Sequence, residues 1–240
     1  MAIPKGTINE LTIYSAELGE DIQLLVYLPA NFSPLYKYSL LIAQDGRDYF
    51  QLGRIARLAD EFLFQREIEN LIIVGVPYKN VEDRRKKYHP NGSQNQQYIR
   101  FLAHELVPFL DQEFPTYQMG STRALIGDSL GGAVSLMTAL QYPHTFGKVL
   151  LHSPYVDESI LSAVKNFSEG QLLQLYHVIG NQETEVQTTD GSLKDFLTPN
   201  RDLSKIISEK PITYFYEEFS GNHTWKYWQP DLRRALKMLF

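Results

Sequence analysis

Arg123-Ala124-Leu125-Ile126-Gly127-Asp128-Ser129-Leu130-Gly131-Gly132-Ala133-Val134 joins a short apolar run to a helix-compatible one through the pattern G-x-S-x-G. Leu136, Met137 and Leu140 continue the apolar positions at helical spacing. A tight strand-to-helix turn of this kind holds its serine in strained backbone geometry, and the flanking Gly127 and Gly131 let neighbouring backbone come close. The pattern alone also fits an ordinary glycine-rich turn whose serine caps a helix. Here the strand before it and the helix after it supply the required setting, so Ser129 is read as a nucleophile.

Working outward, Leu40 to Ala43, Leu71 to Val76, Ala124 to Ile126 and Val149 to Leu151 are short, continuous apolar runs followed by small or turn-forming residues. That is the pattern of buried parallel strands. Ile22 to Leu28 predicts an early strand near a sheet edge, with Leu11 to Tyr14 as its partner. Helical spacing marks Ile55, Leu58, Ala59, Phe62 and Leu63, then Phe101, Leu102, Leu106, Phe109 and Leu110. Leu172 to Ile179 and Ile212 to Phe219 read as further strands, Leu203 to Ile207 as part of a helix, and Leu232, Ala235, Leu236 and Leu239 as a closing helix. Alternation of this kind predicts an α/β fold, a mostly parallel sheet with helices on both faces. With no repeat or long linker, residues 1–240 are expected to form a single domain, with its ligands at the carboxyl ends of the strands.

The 240 residues are 43% hydrophobic and 21% charged, a mixture that folds around a core. A formal charge of −5 gives no general attraction to nucleic acid or anionic membrane. The absence of cysteine removes disulfides, thiolate metal sites and a thiol nucleophile. His104-Glu105-Leu106-Val107 starts like a zinc-protease helix, but Pro108 stands where the second histidine belongs, so no metal site is expected. Neither a G-x-x-x-x-G-K-S/T loop nor a G-x-G-x-x-G turn after a first strand is present, so no cofactor is expected. No apolar segment follows Met1-Ala2-Ile3-Pro4-Lys5-Gly6 as in a signal peptide, and the longest apolar runs fall far below the ~20 residues of a membrane span. The expectation is a soluble, cytoplasmic protein acting on a small molecule, with no indication of its oligomeric state.

An activated serine needs a base and an acid that follow it in the chain. Of the six histidines, His89 and His104 precede Ser129, His144 follows the elbow helix, and His152 and His177 lie in or at the end of strands. His223 sits in Ser220-Gly221-Asn222-His223-Thr224-Trp225, between a strand and the last helix, where a loop can carry an imidazole over the sheet. It is the candidate base. Ile179-Gly180-Asn181-Gln182-Glu183-Thr184-Glu185-Val186 offers the acid: Glu183 is preferred as nearest the strand end, with Glu185, Asp190 and Asp195 as competitors. An oxyanion hole takes the Leu130 N–H, after the nucleophile, and an N–H from Gln44-Asp45-Gly46-Arg47-Asp48, assigned to Arg47. The Asp45 and Arg47 side chains are candidates for polar substrate contacts. Arg84-Arg85-Lys86-Lys87 reads either as an anion site or as a solvated loop, and Tyr49, Tyr78, Trp225 and Trp228 either as an acyl or aromatic pocket or as packing.

Gln44-Asp45-Gly46, Glu105-Leu106-Val107-Pro108, Gly127-Asp128-Ser129-Leu130-Gly131-Gly132 and His223-Thr224-Trp225-Lys226-Tyr227-Trp228, in this order, resemble the putative-esterase family of α/β-hydrolases. That family includes enterochelin-esterase-like enzymes, esterase D and mycolyltransferases. The resemblance extends from about Leu24 to Leu236, and His-x-Trp-x-x-Trp is most similar to the enterochelin-esterase-like branch. It implies a cofactor-independent serine carboxylesterase with Ser129 as nucleophile, His223 as base, Glu183 as orienting acid, and Leu130 and Arg47 as oxyanion donors. A siderophore trilactone hydrolase or an acyltransferase would use the same triad, and a catalytically silent binding scaffold is the alternative from another class. Enterochelin esterase has an additional N-terminal domain, a departure that bears on the trilactone reading.

Overall fold

Apolar runs without alternation need cover on both faces, which only the middle of a sheet provides. In the computed structural model, which describes residues 2–189 and 191–240, the strands are β1 (Thr7–Ser15), β2 (Glu20–Leu28), β3 (Ser39–Gln44), β4 (Leu71–Val76), β5 (Arg123–Asp128), β6 (Lys148–His152) and β7 (Gln174–Gly180). A small hairpin, β8 (Val186–Gln187) and β9 (Leu193–Lys194), follows, and then β10 (Thr213–Phe219). The main sheet has the order β1-β2-β4-β3-β5-β6-β7-β10. β1 and β2 pair antiparallel, as do β2 and β4, and the remaining pairs are parallel. Every residue of β3, β4 and β5 is buried, as their continuous apolar sequence requires. The edge strand β1 is mostly exposed.

The helices are α1 (Gly46–Gln51), α2 (Ile55–Gln65), α3 (Val81–Tyr88), α4 (Asn95–Arg100), α5 (Val107–Glu113), α6 (Leu130–Gln141), α7 (Glu158–Asn166), α8 (Leu197–Ser208) and α9 (Trp225–Leu239). Two apolar layers form because successive strand residues face opposite ways. Leu40 and Ile42 pack with Phe101, Leu136, Ile160 and Leu203 on one face, whereas Leu41 and Ala43 pack with Phe62 and Leu236 on the other. Among the described residues no helix is long and apolar enough to cross a membrane.

Two elements differ from the sequence reading. The strand expected from Leu172 begins at Gln174, because the Leu172 and Leu173 N–H groups bond back to Glu169 and Gly170 and the chain is still turning. The helix expected around Phe101 to Leu110 is interrupted by a π-helical turn over Phe101–Leu106, and α5 restarts with Pro108 in its first turn. The backbone stays helical through Leu106 and Val107, so Pro108, which has no N–H to donate, follows directly on the π turn.

The chain places β4 on one side of β3 and then returns to place β5 on the other, so the strand order reverses between β3 and β5. Parallel registers align the carboxyl ends: Asp128 pairs with His152, His152 with Val178, and Gly180 with Phe219. The loops carrying Ser129, Ser153, Glu183 and His223 therefore leave the sheet from one edge, at the crevice where open α/β sheets bind ligands.

Candidate active site

Ser129 adopts φ 53° and ψ −121° between β5 and α6. An L-residue is strained there, and three backbone bonds hold it: its N–H donates to the His152 carbonyl at 3.0 Å, and its carbonyl accepts from Ala133 at 3.1 Å and Tyr155 at 2.8 Å. The turn is closed so tightly that a Cβ on Gly127 would lie 2.1 Å from the Gly131 carbonyl carbon. Ser129 and Leu130 both line a cleft of about 410 Å³. As the first residue of α6, Leu130 presents its N–H at the positive end of the helix dipole.

His223 lines the same cleft, and its Nδ1 lies 2.6 Å from Glu183 Oε2. Glu183 is wholly buried, and its other oxygen, Oε1, accepts from Ser153 Oγ at 2.7 Å and from the Gly180 N–H at 2.8 Å. Its backbone carbonyl receives the Phe196 and Leu197 N–H groups. The loops that carry acid and base are joined directly, since the Asn181 N–H bonds Phe219 O and the Gln182 N–H bonds Gly221 O, both at 2.9 Å. A Cβ on Gly180 would lie 2.5 Å from Gly221 O, so glycine is what lets these loops meet. The imidazole is gripped on two sides, by Phe196 at 4.5 Å and by Trp228 edge-on at 4.9 Å between ring centroids.

The other acids stand elsewhere. Glu185 is exposed. Asp195 is exposed and accepts the Thr198 N–H in the first turn of α8. Asp190 lies outside the described residues. Of the other histidines, His177 is buried between Tyr214 and Asn200, and burial lowers its pKa to about 4. His104 bonds Tyr142, and the exposed His144 faces Glu169. His89 lines the cleft with its ring against Tyr155.

Several sequence-assigned contacts need correction. Asp45 is buried and grips Arg84 through two bonds of 2.7 and 2.6 Å, so its carboxylate serves that ion pair and not a substrate. The Arg47 side chain turns away to Gln23 and borders a separate groove, while its neighbour Asp48 lines the cleft. Asp48 and Tyr49 both donate their N–H groups to Asp45 O, which takes them out of the list of oxyanion donors. Arg84 to Lys87 lie on α3 and not in a loop: Arg84 is held by Asp45, Lys86 by Glu82, and Lys87 by Glu20 and Asp83. Only Arg84 and Arg85 of that run line the cleft. Tyr78, Trp225 and Trp228 also line it, but Tyr49 is buried beneath, with Trp225 edge-on at 4.8 Å.

Sequence reasoning missed Ser153. It ends β6 as Ser129 ends β5, it is buried at φ 45°, and besides donating to Glu183 it accepts the Trp228 indole N–H at 3.0 Å. Its position after a buried strand was the available signal. Asp48, Tyr155 and Phe196 also line the cleft and carried no motif.

This arrangement suits proton transfer. A histidine that donates Nδ1–H to a buried carboxylate keeps a lone pair on Nε2, which can take a proton from a hydroxyl. Leu130, at the start of α6, and Asp48, in the first turn of α1, both line this cleft.

Comparison with known proteins gives the family of the chain. The family model described as putative esterase matches residues 15–239. The uncharacterized protein YjcH of Bacillus subtilis (strain 168) is 55% identical over 239 residues, the whole length of both chains. Iron(III) salmochelin esterase of Escherichia coli O6:H1 is 29% identical over 229 residues, which are 92% of this chain and 55% of that one. Among solved structures, the enterobactin esterase FES from Shigella flexneri, in the presence of enterobactin, matches with a TM-score of 0.85 at 17% identity, over 98% of this chain and 59% of that chain. The chain thus spans little more than half the length of these two siderophore esterases. With a match over nearly all its length, the chain belongs to the putative-esterase family of ester hydrolases.

Proposed function

We propose that this protein is a serine carboxylesterase acting on a small-molecule ester as one α/β-hydrolase unit over residues 1–240. The observation that carries the reading is the 2.6 Å bond between His223 Nδ1 and the buried Glu183, in a cleft that also holds the strained Ser129. Ser129 Oγ attacks the ester carbonyl carbon as His223 Nε2 takes its proton, with Glu183 stabilising the imidazolium. The carbonyl oxygen, now an oxyanion, accepts from the Leu130 N–H and from the Arg47 N–H in the first turn of α1. Collapse of this intermediate breaks the bond to the alcohol, which leaves with the proton from His223. Water then gives a proton to the same imidazole and attacks the acyl carbon; the second intermediate collapses by breaking the bond to Ser129 Oγ, which takes that proton back from His223 as the carboxylic acid leaves.

The test is hydrolysis of a series of p-nitrophenyl acyl esters of increasing chain length, beside a siderophore trilactone, by wild type and Ser129→Ala. Turnover in wild type and its loss in Ser129→Ala are expected; equal turnover in both proteins would refute the assignment. A second reading, trilactone hydrolysis, is favoured by the likeness to iron(III) salmochelin esterase. Preference for the trilactone over every simple ester would select it.

A further inference from the structure

The cleft wall beside the nucleophile is acidic. Asp128, the residue before Ser129, lines the cleft with only 7% of its surface exposed, and its Oδ1 is buried with no hydrogen-bond partner among the described residues. The half-buried Asp48 and Tyr78 line the same cleft. Behind them lies Asp45 with its bidentate Arg84. Arg84, the guanidinium that acts on both Asp48 and Asp128, is already held by Asp45, while Arg85 and Lys194 line the cleft as well.

Buried carboxylates without a cation are unfavourable, and a protein commonly relieves this by keeping a proton on one of them. Burial, then the charge of Asp45, pushes the Asp128 carboxyl well above the usual carboxylate range, and the same two causes raise Asp48. A proton held there occupies the place of a missing positive charge. Tyr78, Tyr155, Trp225 and Trp228 are the aromatic residues of the lining. Such rings attract ammonium groups. Arg84 already lies 5.8 Å from the Tyr78 ring centre, and Lys194 lies 4.9 Å from that of Tyr155.

We propose that Asp48, Asp128 and Tyr78 form a subsite for a cationic nitrogen of the substrate, an ammonium carried close to the scissile ester. The inference rests on the esterase reading and adds a substrate class to it. Either the alcohol or the acyl half of an ester can carry the nitrogen, and the two are separated by experiment.

On the alcohol side, kcat/KM for choline acetate is compared with that for 3,3-dimethylbutyl acetate, its neutral carbon isostere. On the acyl side, the p-nitrophenyl ester of 4-aminobutyrate is compared with that of pentanoate. One of the two cationic esters should be favoured by about tenfold or more, the size of one good cation contact. Asp128→Asn should reduce that ratio to below about threefold. Asp48→Asn, at a less buried position, should lower it in the same direction and serves if Asp128→Asn folds poorly. Calorimetry adds a readout independent of turnover: Ser129→Ala should bind choline more tightly than 3,3-dimethylbutan-1-ol, or 4-aminobutyramide more tightly than pentanamide. Cationic and neutral partners treated within about twofold on both sides would overturn the subsite, as would a preference that survives both substitutions. Loss of hydrolysis of every ester with the binding preference intact would instead count against the esterase reading alone.

Discussion

Among the described residues two histidine–carboxylate pairs lie inside this fold, and only one of them opens on the cleft. His223 gives Nδ1 to Glu183 at 2.6 Å, keeps 15% of its side chain exposed, and shares the cleft with Ser129. His152 Nε2 lies 3.2 Å from Asp231, its Nδ1 lies 3.3 Å from the Tyr49 hydroxyl, and the residue is wholly buried. Both of its ring nitrogens are taken. Asp231 also accepts from Tyr176 and Arg234, each at 2.7 Å, so this pair ties α9 to β6 and β7. Burial raises the Asp231 carboxyl, but the bonds from His152 and Tyr176 and the Arg234 charge outweigh it and hold the pKa below the ordinary value. A paired imidazole is therefore not in itself a catalytic signature. What separates the two pairs is that His223 lines the cleft with Ser129 and has only its Nδ1 paired to the carboxylate, whereas His152 has both ring nitrogens engaged.

The sharpest way to break that distinction is to remove His223. His223→Ala should lower kcat by roughly 10³-fold or more with its thermal midpoint nearly unchanged. Near wild-type turnover would send the base assignment back to the other histidines.

Glu183→Gln should lower kcat by roughly 10²- to 10⁴-fold. Its amide oxygen can still accept from Ser153 and Gly180, but its NH₂ would then face His223 and force the wrong imidazole tautomer. Glu185→Gln should stay within about threefold of wild type, since that side chain is exposed. Turnover measured on both variants decides the acid, and the reverse pattern would move it to Glu185.

Asp231→Ala should act on stability. Removing one partner of a buried pair costs about 3–5 kcal/mol, read as a lower urea midpoint at unchanged slope. The folded variant should keep kcat within about tenfold. A collapse of kcat at unchanged stability would merge the two pairs into one catalytic apparatus.

His177 supplies a pH dependence of known sign. Its folded pKa of about 4 lies below the unfolded value of 6.5, so the unfolded chain binds its proton first as pH falls. The stabilisation is complete above about pH 6.5, declines by about 3 kcal/mol between 6.5 and 4, and then levels. Urea unfolding at pH 7 and pH 4.5 should show this slope in wild type and a shallower one in His177→Gln; equal slopes would remove His177 as its source.

The smallest effect is expected at Ser153. Ser153→Ala removes one of three donors to the Glu183 carboxylate and leaves the Trp228 N–H without its partner. A loss in kcat of about tenfold is expected, the scale of one buried hydrogen bond. No change would make Ser153 a packing residue only.

Legibility followed locality. β3, β4 and β5 were readable because strands buried on both faces must be apolar throughout, and Ser129 because its turn needs glycines at fixed offsets. Glu183, which bonds His223, stands out in the sequence by its distance from a strand end, a local cue. Asp45 was misread because its partner, Arg84, is 39 residues away, and no local pattern records such a pairing. Ser153 escaped because serine after a strand is common, and only the register of β6 beside β5 and β7 makes it meet Glu183. The π turn over Phe101–Leu106 preserves apolar spacing well enough to pass as α-helix.

The most direct test of the central claim is covalent labelling by a fluorophosphonate probe, because only an activated serine beside an oxyanion hole attacks phosphorus readily. Mass spectrometry of the labelled, digested protein should find the adduct on Ser129 and on no other residue, with none in Ser129→Ala and slow labelling in His223→Ala. An unlabelled wild type, or equal labelling of Ser129→Ala, would contradict the account and leave the cleft as a binding site without this chemistry.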